Sequence, residues 1–352
     1  MYGNHPEKLP TFCNIMQKQH TMTHLINKLL AIVAILFVGA CTTINTVPTK
    51  TTTGEPYDVF VICDNAAWQG DLSMVVCDML EEDAIGLTRP QGYFNIVRQA
   101  NSQNTSDIDL KYSNILRLNI DAINATPSTS VARNVYARPQ TVVTIKAPDS
   151  ATAALYIEHS AAAIRDLFES GERDASNSYY RGHHSPELIN DFKAHTGFEM
   201  LIPANYYKAT TADKELLWYI RDYEKKAQYI FAYSYDYTSE DELTAEWLVR
   251  TLDNRLSTIP GQLKGSYMGI NEEGPAFINT VTIGDTEWIE LRGWWEVNGD
   301  FMGGPYVSYT TLNRETSRLT TIVFALYSPE EGQRNPLREI EHLIYTTKPA
   351  LQ

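Results

Sequence analysis

The sequence predicts an α+β protein, with mostly antiparallel sheets and helices packed on one face, arranged as two related α+β subdomains. Three observations carry this. Short apolar, β-prone runs alternate with fewer, longer helical stripes from Tyr57 to Tyr345. Hairpins feed helices where a strict βαβ alternation would give a parallel sheet. And Val142–Asp149 (VVTIKAPD) and Val323–Glu330 (VFALYSPE) share a strand-then-proline-acid layout leading into a helix, with Ala232–Asp241 (AYSYDYTSED) repeating it without the proline. One continuous sheet is the alternative arrangement.

The chain opens with a leader. Leu29–Cys41 reads LLAIVAILFVGAC: an apolar run behind Lys28, then two small residues before a cysteine. That order is a secretory signal over residues 1–40 ending in a lipobox, with Cys41 diacylated as the mature first residue. Ten or so apolar residues are too few to span a bilayer, which needs roughly 20. Met22 gives a more compact signal than Met1. Residues 41–56 are Thr-rich and lack an apolar period, so they are expected to form a flexible tether.

Residues 57–197 are the expected N-terminal subdomain. Tyr57–Cys63 is a strand, and Asp71 starts a helix carrying Leu72, Val75, Val76, Met79 and Leu80 inward. Phe94–Gln99, Asn114–Ile123 and Thr141–Ala147 are strands. Pro148-Asp149 opens a long helix with Ile157, Ala161, Ile164 and Phe168 on one stripe. The next helix has Ser185 as N-cap, Pro186 at its first position and Gly197 past its end.

Residues 198–352 are the expected C-terminal, strand-rich subdomain. Glu199–Ala204, Leu216–Tyr223 and Gln228–Tyr237 are strands, the last two joined by a turn around Glu224–Lys226. Ser239 caps a helix carrying Leu243, Trp247, Leu252 and Leu256, stopped by Pro260-Gly261. Strands follow near Ser266–Asn271, Phe277–Ile283, Trp288–Val297, Tyr306–Leu312 and Leu319–Tyr327, and Leu337–Tyr345 is a terminal helix.

The net charge of −14 becomes −16 without residues 1–40, which hold three Lys and one Glu. Such a surface repels phosphate backbones, which argues against nucleic acid as a partner. It also leaves membrane attachment to the lipid on Cys41. Cys63 closes a strand and Cys77 lies about 130° from the centre of its helix's apolar stripe, so two free thiols are expected.

The densest unusual segment is Trp288–Tyr309, WIELRGWWEVNGDFMGGPYVSY. Strand alternation puts Trp288, Glu290, Arg292 and Trp294 on one face, with Trp295 on the other. Aromatic planes can stack on sugar rings while Arg and Glu bond hydroxyls. The candidate binding residues are therefore Trp288, Glu290, Arg292, Trp294, Trp295, Glu296, Gly303, Gly304 and Tyr306. The competing reading is a cross-strand ladder in which Arg292 pairs with a carboxylate and the tryptophans cover the core. Asn298-Gly299-Asp300 reads as a hairpin turn and Gly303-Gly304-Pro305 as a second bend. Glu290 and Glu296 stand about 20 Å apart along one strand, too far for a glycosidase pair.

Glu187, Asp191 and His195 share a helix face near His183-His184, but no metal-binding spacing occurs, and a solvated polar face is the expected reading. No nucleophile elbow, phosphate loop or cofactor motif occurs either, so no catalytic residue, metal or cofactor is assigned.

Arg292-Gly293, Trp295-Glu296 and Met302-Gly303-Gly304-Pro305-Tyr306 resemble a segment of an uncharacterised lipoprotein family of Bacteroides-type bacteria, a domain of unknown function. Trp68 with Gly70, Pro90-Gln91, Ala137-Arg138-Pro139-Gln140, Pro329 and Arg338-Glu339-Ile340-Glu341 support the likeness, which covers Tyr57–Tyr345 and the lipobox. Before the last helix this chain has Gln333-Arg334 where the family carries a basic pair. The resemblance implies a cell-envelope lipoprotein and brings no activity.

The leading expectation is a non-enzymatic, lipid-anchored envelope protein that binds a glycan or another envelope protein through the Trp288–Tyr309 face. The alternative is a periplasmic hydrolase acting on cell-wall or polysaccharide substrate. Thr42-Thr43 after Cys41 lacks the inner-membrane retention aspartate, and the tether lacks an acidic export cluster. By that analogy the protein hangs from the outer membrane into the periplasm, with the cell surface as the other location.

Overall fold

The computed structural model describes residues 50–223 and 225–350. The leader, the alternative start at Met22, the Cys41 lipidation site and Glu224 lie outside the described residues. Two sheets organise the remainder. The first contains β1 (Asp58–Ile62), β2 (Asn95–Ala100), β3 (Asn114–Ile120), β4 (Ser128–Arg133) and β5 (Thr141–Ala147), in the order β2-β1-β3-β5-β4. The second contains β7 (Tyr207–Lys208), β8 (Leu217–Tyr223), β9 (Lys226–Asp236), β10 (Tyr267–Ile270), β11 (Phe277–Ile283), β12 (Thr286–Asn298), β13 (Gly303–Asn313) and β14 (Arg318–Tyr327). Its order is β10-β12-β13-β14-β9-β8-β7, with β11 also on β12. A small ribbon pairs β6 (Phe198–Glu199) with β15 (Lys348–Pro349).

The class is α+β, and the second sheet is antiparallel throughout. The first sheet departs from the expected strand direction: β1 runs parallel to β2 and β3, β3 parallel to β5, and only β4 is antiparallel. The reason is visible in β1, DVFVI, whose residues are all buried. A strand buried on both faces suits a parallel sheet. On one face Val59 and Val61 meet α1 (Asp71–Glu81) and α2 (Ser150–Arg181); on the other Phe60 and Ile62 lie under Leu110, Tyr112, Val135 and Tyr136. β4, STSVAR, carries no apolar run and escapes a hydropathy reading.

The second sheet differs in another detail, since helices cover both its faces. Leu188 and Phe192 of α3 (Pro186–Thr196) and Leu337 and Ile340 of α5 (Arg334–Glu341) pack on Tyr219, Ile230, Val307, Tyr309 and Phe324. Leu248, Leu252 and Leu256 of α4 (Ala245–Leu256) pack on the opposite face with Leu291, Trp295 and Tyr306. The near-continuous burial of β9, β13 and β14 follows from this double cover. The two sheets therefore differ in strand order, strand direction and cover, and the echo of strand-proline-acid segments marks similar exits into helices.

Local punctuation held where capping chemistry is strong. Asp149 accepts from Thr152 N at the start of α2, Ser185 accepts from Leu188 N, and Gly197 sits at φ +75° beyond α3. α4 starts at Ala245 behind Thr244; the segment after Ser239 is a separate 3₁₀ turn, and Leu248 takes the inward place expected of Trp247. Gly303-Gly304-Pro305 is a correction. These residues lie inside β13, paired with Glu296, Trp295 and Trp294. A Cβ on Gly304 would collide with the Leu326 carbonyl oxygen of the next strand, so glycine permits the strands to approach. The hairpin after Asn298 exists, with Gly299 at φ +84°. Cys63 and Cys77 are free, and burial pushes the Cys63 thiol up to about 12.

The tether begins to dock before Tyr57. Thr51 and Thr53 form bridges beside Arg138 and Tyr112, and Lys50 O accepts from Arg138 N at 2.9 Å. Replacing Gly304 by Ala should lose about 2 kcal/mol of stability through overpacking against immobile backbone, measured by denaturant unfolding.

Candidate functional site

α2 is 32 residues long and joins the two sheets. Its first half (Ala153, Ile157, Ile164, Phe168) belongs to the first sheet's core, whereas Tyr180 near its end belongs to the second's. α5 is the other connector. Gln91 Oε1, from the loop between α1 and β2, accepts from the backbone N–H groups of Gln333 (2.6 Å) and Arg334 (3.0 Å), capping the helix from outside its own subdomain. Arg334 Nη1 donates to Gly92 O at 2.8 Å, and Asn335 Nδ2 to Pro56 O at 3.1 Å.

Between these connectors lies a cleft of about 620 Å³. Its floor is charged. Arg292 on β12 pairs with Glu290 through Nε and with Glu341 of α5 through Nη2, and Tyr309 Oη donates to Glu341 Oε1 at 2.7 Å. Arg338, one turn earlier on α5, pairs with Glu169 of α2 and donates to Tyr93 O at 3.2 Å. Its guanidinium sits 4.9 Å from the Tyr57 ring centroid and 5.2 Å from that of Tyr93. Arg173 lies 3.9 Å over the Tyr345 ring. The rim is apolar: Ile85, Phe277 and Ile278 are 47%, 42% and 49% exposed.

Burial and neighbouring charge divide the carboxyls. Burial alone would raise Glu341, but the Arg292 guanidinium outweighs it and holds this carboxyl below its usual range. Glu169 moves the other way, because its burial outweighs the pull of Arg338. Behind the floor, Tyr57 Oη lies 3.0 Å from His342 Nε2, and Asn177 Nδ2 donates to His342 O at 3.1 Å. Burial holds His342 down at about 3, with Arg338 and Arg173 adding to the effect against the pull of Glu341, so the ring is neutral at pH 7. Its Nδ1 has no partner among the described residues.

The sequence candidates scatter. Glu290 and Arg292 line the cleft. Trp294 shares their face and donates from Nε1 to Gly86 O at 3.2 Å, beside the cleft. Trp288 is buried in the second sheet's core, its ring 5.3 Å from Phe198. Trp295 and Tyr306 lie on the opposite face, Trp295 Nε1 donating to Leu326 O at 3.1 Å. Glu296 accepts from Asn271 Nδ2 at 2.7 Å, away from the cleft, and Gly303 and Gly304 serve the β12–β13 ladder. Among the metal-tempting groups, His183 and His184 bond backbone carbonyls within α2, His195 bonds Glu215 O, and Asp191 pairs with Lys208. Sequence reasoning missed Glu169, Arg173, Arg338, Glu341 and His342. The available signal was a terminal helix whose Arg334, Arg338 and Glu341 recur at helical spacing beside the apolar Leu337 and Ile340.

These features define a two-sheet α+β protein with a charged cleft between its halves. Two family models cover it: residues 52–181 match the domain of unknown function DUF8532 and residues 185–346 match the domain of unknown function DUF4837. The chain is thus made of two uncharacterised domains, in keeping with the resemblance to a domain-of-unknown-function family. No curated protein matches. Among solved structures, the Ran-binding protein Mog1p of Saccharomyces cerevisiae is 9% identical over 44% of this chain and 90% of its own, with a TM-score of 0.31. A Mog1 mutant gives 7%, 44%, 91% and 0.28. LpqN of Mycobacterium tuberculosis, described as involved in cell envelope biogenesis, gives 10%, 43%, 81% and 0.26. At these TM-scores the likenesses establish neither fold nor function.

Replacing Arg292 by Met strands two largely buried carboxylates, Glu290 and Glu341, and should remove about 3 kcal/mol from the unfolding free energy in denaturant titrations. His342 predicts a pH signature. Its folded value lies below the unfolded 6.5, so its contribution is complete above about 6.5 and is lost as pH falls toward about 3. The raised Glu169 acts with the opposite sign, losing stability as pH rises above the ordinary carboxyl value. Comparison with His342→Gln isolates the histidine: the stability difference between wild type and variant should shift by about 1.4 kcal/mol per pH unit inside that window, and stay flat above it.

Proposed function

We propose that this protein is a lipid-anchored component of the cell envelope, held through Cys41 at the outer membrane and facing the periplasm, and that its interdomain cleft is a binding site for another envelope component, polypeptide or glycan. The observation that carries the binding reading is the placement of Arg292 and Glu290, nominated by their sequence pattern, on the floor of a roughly 620 Å³ cleft with an exposed apolar rim. The leader and lipobox support the location. Among the described residues no helix is long and apolar enough to cross a membrane.

The arrangement favours recognition over acid–base chemistry, because Glu290 and Glu341 are both held by Arg292 and Glu169 by Arg338. A hydrolase is the second reading, and one observation favours it: Glu169 is raised while Glu341 is lowered, the separation an acid and an ionised partner require.

Labelled palmitate should enter the wild-type protein and not Cys41→Ser, which should leave the membrane fraction. A glycan array and a set of purified envelope proteins, probed with wild type and with the rim variants Arg173→Gln and Tyr345→Ala, test the cleft. Binding should weaken at least about tenfold in the variants, equivalent to roughly 1.4 kcal/mol. Unchanged binding by folded variants sinks the cleft reading, and turnover of a polysaccharide abolished by Glu169→Gln would replace it with the hydrolase.

A further inference from the structure

We infer that the free edge of β11 receives an extended polypeptide strand from a partner protein, apolar and β-branched in its middle and flanked by Lys or Arg. This rests on the reading of the cleft as a binding site and names the class of its occupant. Among the described residues β11 is bonded to β12 alone, in unbroken register from Phe277↔Arg292 to Ile283↔Thr286, so its outer backbone groups have no strand partner there. Its sequence, FINTVTI, holds no charge, no proline and no bulge, the devices that normally keep such an edge from pairing. The other exposed edges of the described sheets are short or guarded. β7 has two residues, one of them Lys208, and β10 has four. β2 carries a register shift and Arg98, and β4 is Ser/Thr-rich and ends on Arg133.

The open edge also borders the cleft. Phe277 and Asn279 stand opposite Arg292 and Glu290 in the ladder, on the face that looks into it, and Ile85 lies across the rim. A strand added to β11 would set alternate side chains over this opening, main-chain bonds giving affinity and the cleft giving selectivity.

Charge selects the occupant. The uncharged stretch is bracketed by exposed Glu272 and Glu273 before it and exposed Asp285 and Glu287 after it, none of them in an ion pair among the described residues. Basic flanks complement both ends. A second copy of this chain does not: antiparallel self-pairing centred on Thr280 would bring the Glu272-Glu273 turn of one chain to the Asp285 end of the other, and parallel self-pairing would align identical acids.

The test uses the full chain in detergent and three fluorescein-labelled peptides: Lys-Lys-Thr-Val-Thr-Ile-Thr-Val-Lys-Lys, the same core with Glu flanks, and the Lys-flanked peptide with a central proline. Anisotropy should show the first bound at least about tenfold more tightly than the other two, with amide exchange slowed across 277–283. Thr280→Lys should abolish that preference, and neutralising Glu272, Glu273, Asp285 and Glu287 to their amides should erase the discrimination between flanks. Equal binding of all three peptides, or no protection of β11, overturns the inference. Self-association abolished by Thr280→Lys also overturns it, by making a second copy the occupant. Arg173→Gln separates the two readings: if the edge pairs but the cleft is idle, peptide binding is unaffected by this variant; if the cleft binds but the edge does not pair, Arg173→Gln weakens the ligands found by the array while the peptides still fail to discriminate.

Discussion

A buried guanidinium must be matched, and Arg292 sets the geometry around it. It lies on β12 beneath Gly86, whose left-handed backbone at φ +89° brings its α-carbon so close that a Cβ would meet Arg292 Cβ at 2.9 Å. With Glu290 beside it on the strand, a second carboxylate is supplied by Glu341 at the end of α5. Fixing Glu341 fixes the rotation of α5, and that rotation aims Arg338 at Glu169 and Tyr57 and presents the helix start to Gln91. One ion cluster in the second domain therefore orients the helix to which the first domain is bonded.

The same cluster explains how the charges of the cleft floor are matched to one another. Arginines and carboxylates there are mutually satisfied, and the cation–π contact of Arg338 with Tyr93 covers an aromatic face that lines the cleft. What remains available lies higher: the aromatic and aliphatic rim and Arg173 stacked on Tyr345.

Much of the fold was legible because local chemistry and burial agreed. The caps at Asp149, Ser185 and Gly197 and the strands at Thr141–Ala147 and Phe277–Ile283 follow from side-chain type and period alone. Strand direction in the first sheet was not legible, since β1 reads the same whether its neighbours run with it or against it. β4 was missed because a Ser/Thr-rich edge has little to bury. In the site, alternation along β12 placed Glu290 and Arg292 on the correct face together. It could not show that Trp288 is covered by Phe198 or that Trp295 and Tyr306 serve the other core, because those depend on helices distant in sequence. The second carboxylate on Arg292 comes from Glu341, 49 positions away on α5, beyond any pattern a single strand can reveal.

The docking of Lys50–Thr53 against the first sheet also fixes a leash. If acyl chains hold Cys41 in the bilayer, only the eight residues Thr42–Thr49 separate the lipid from the anchored strand segment. Fully drawn out they reach about 30 Å. The docked segment then stays within about that distance of the lipid headgroups, and the body extends beyond it by no more than its own dimensions.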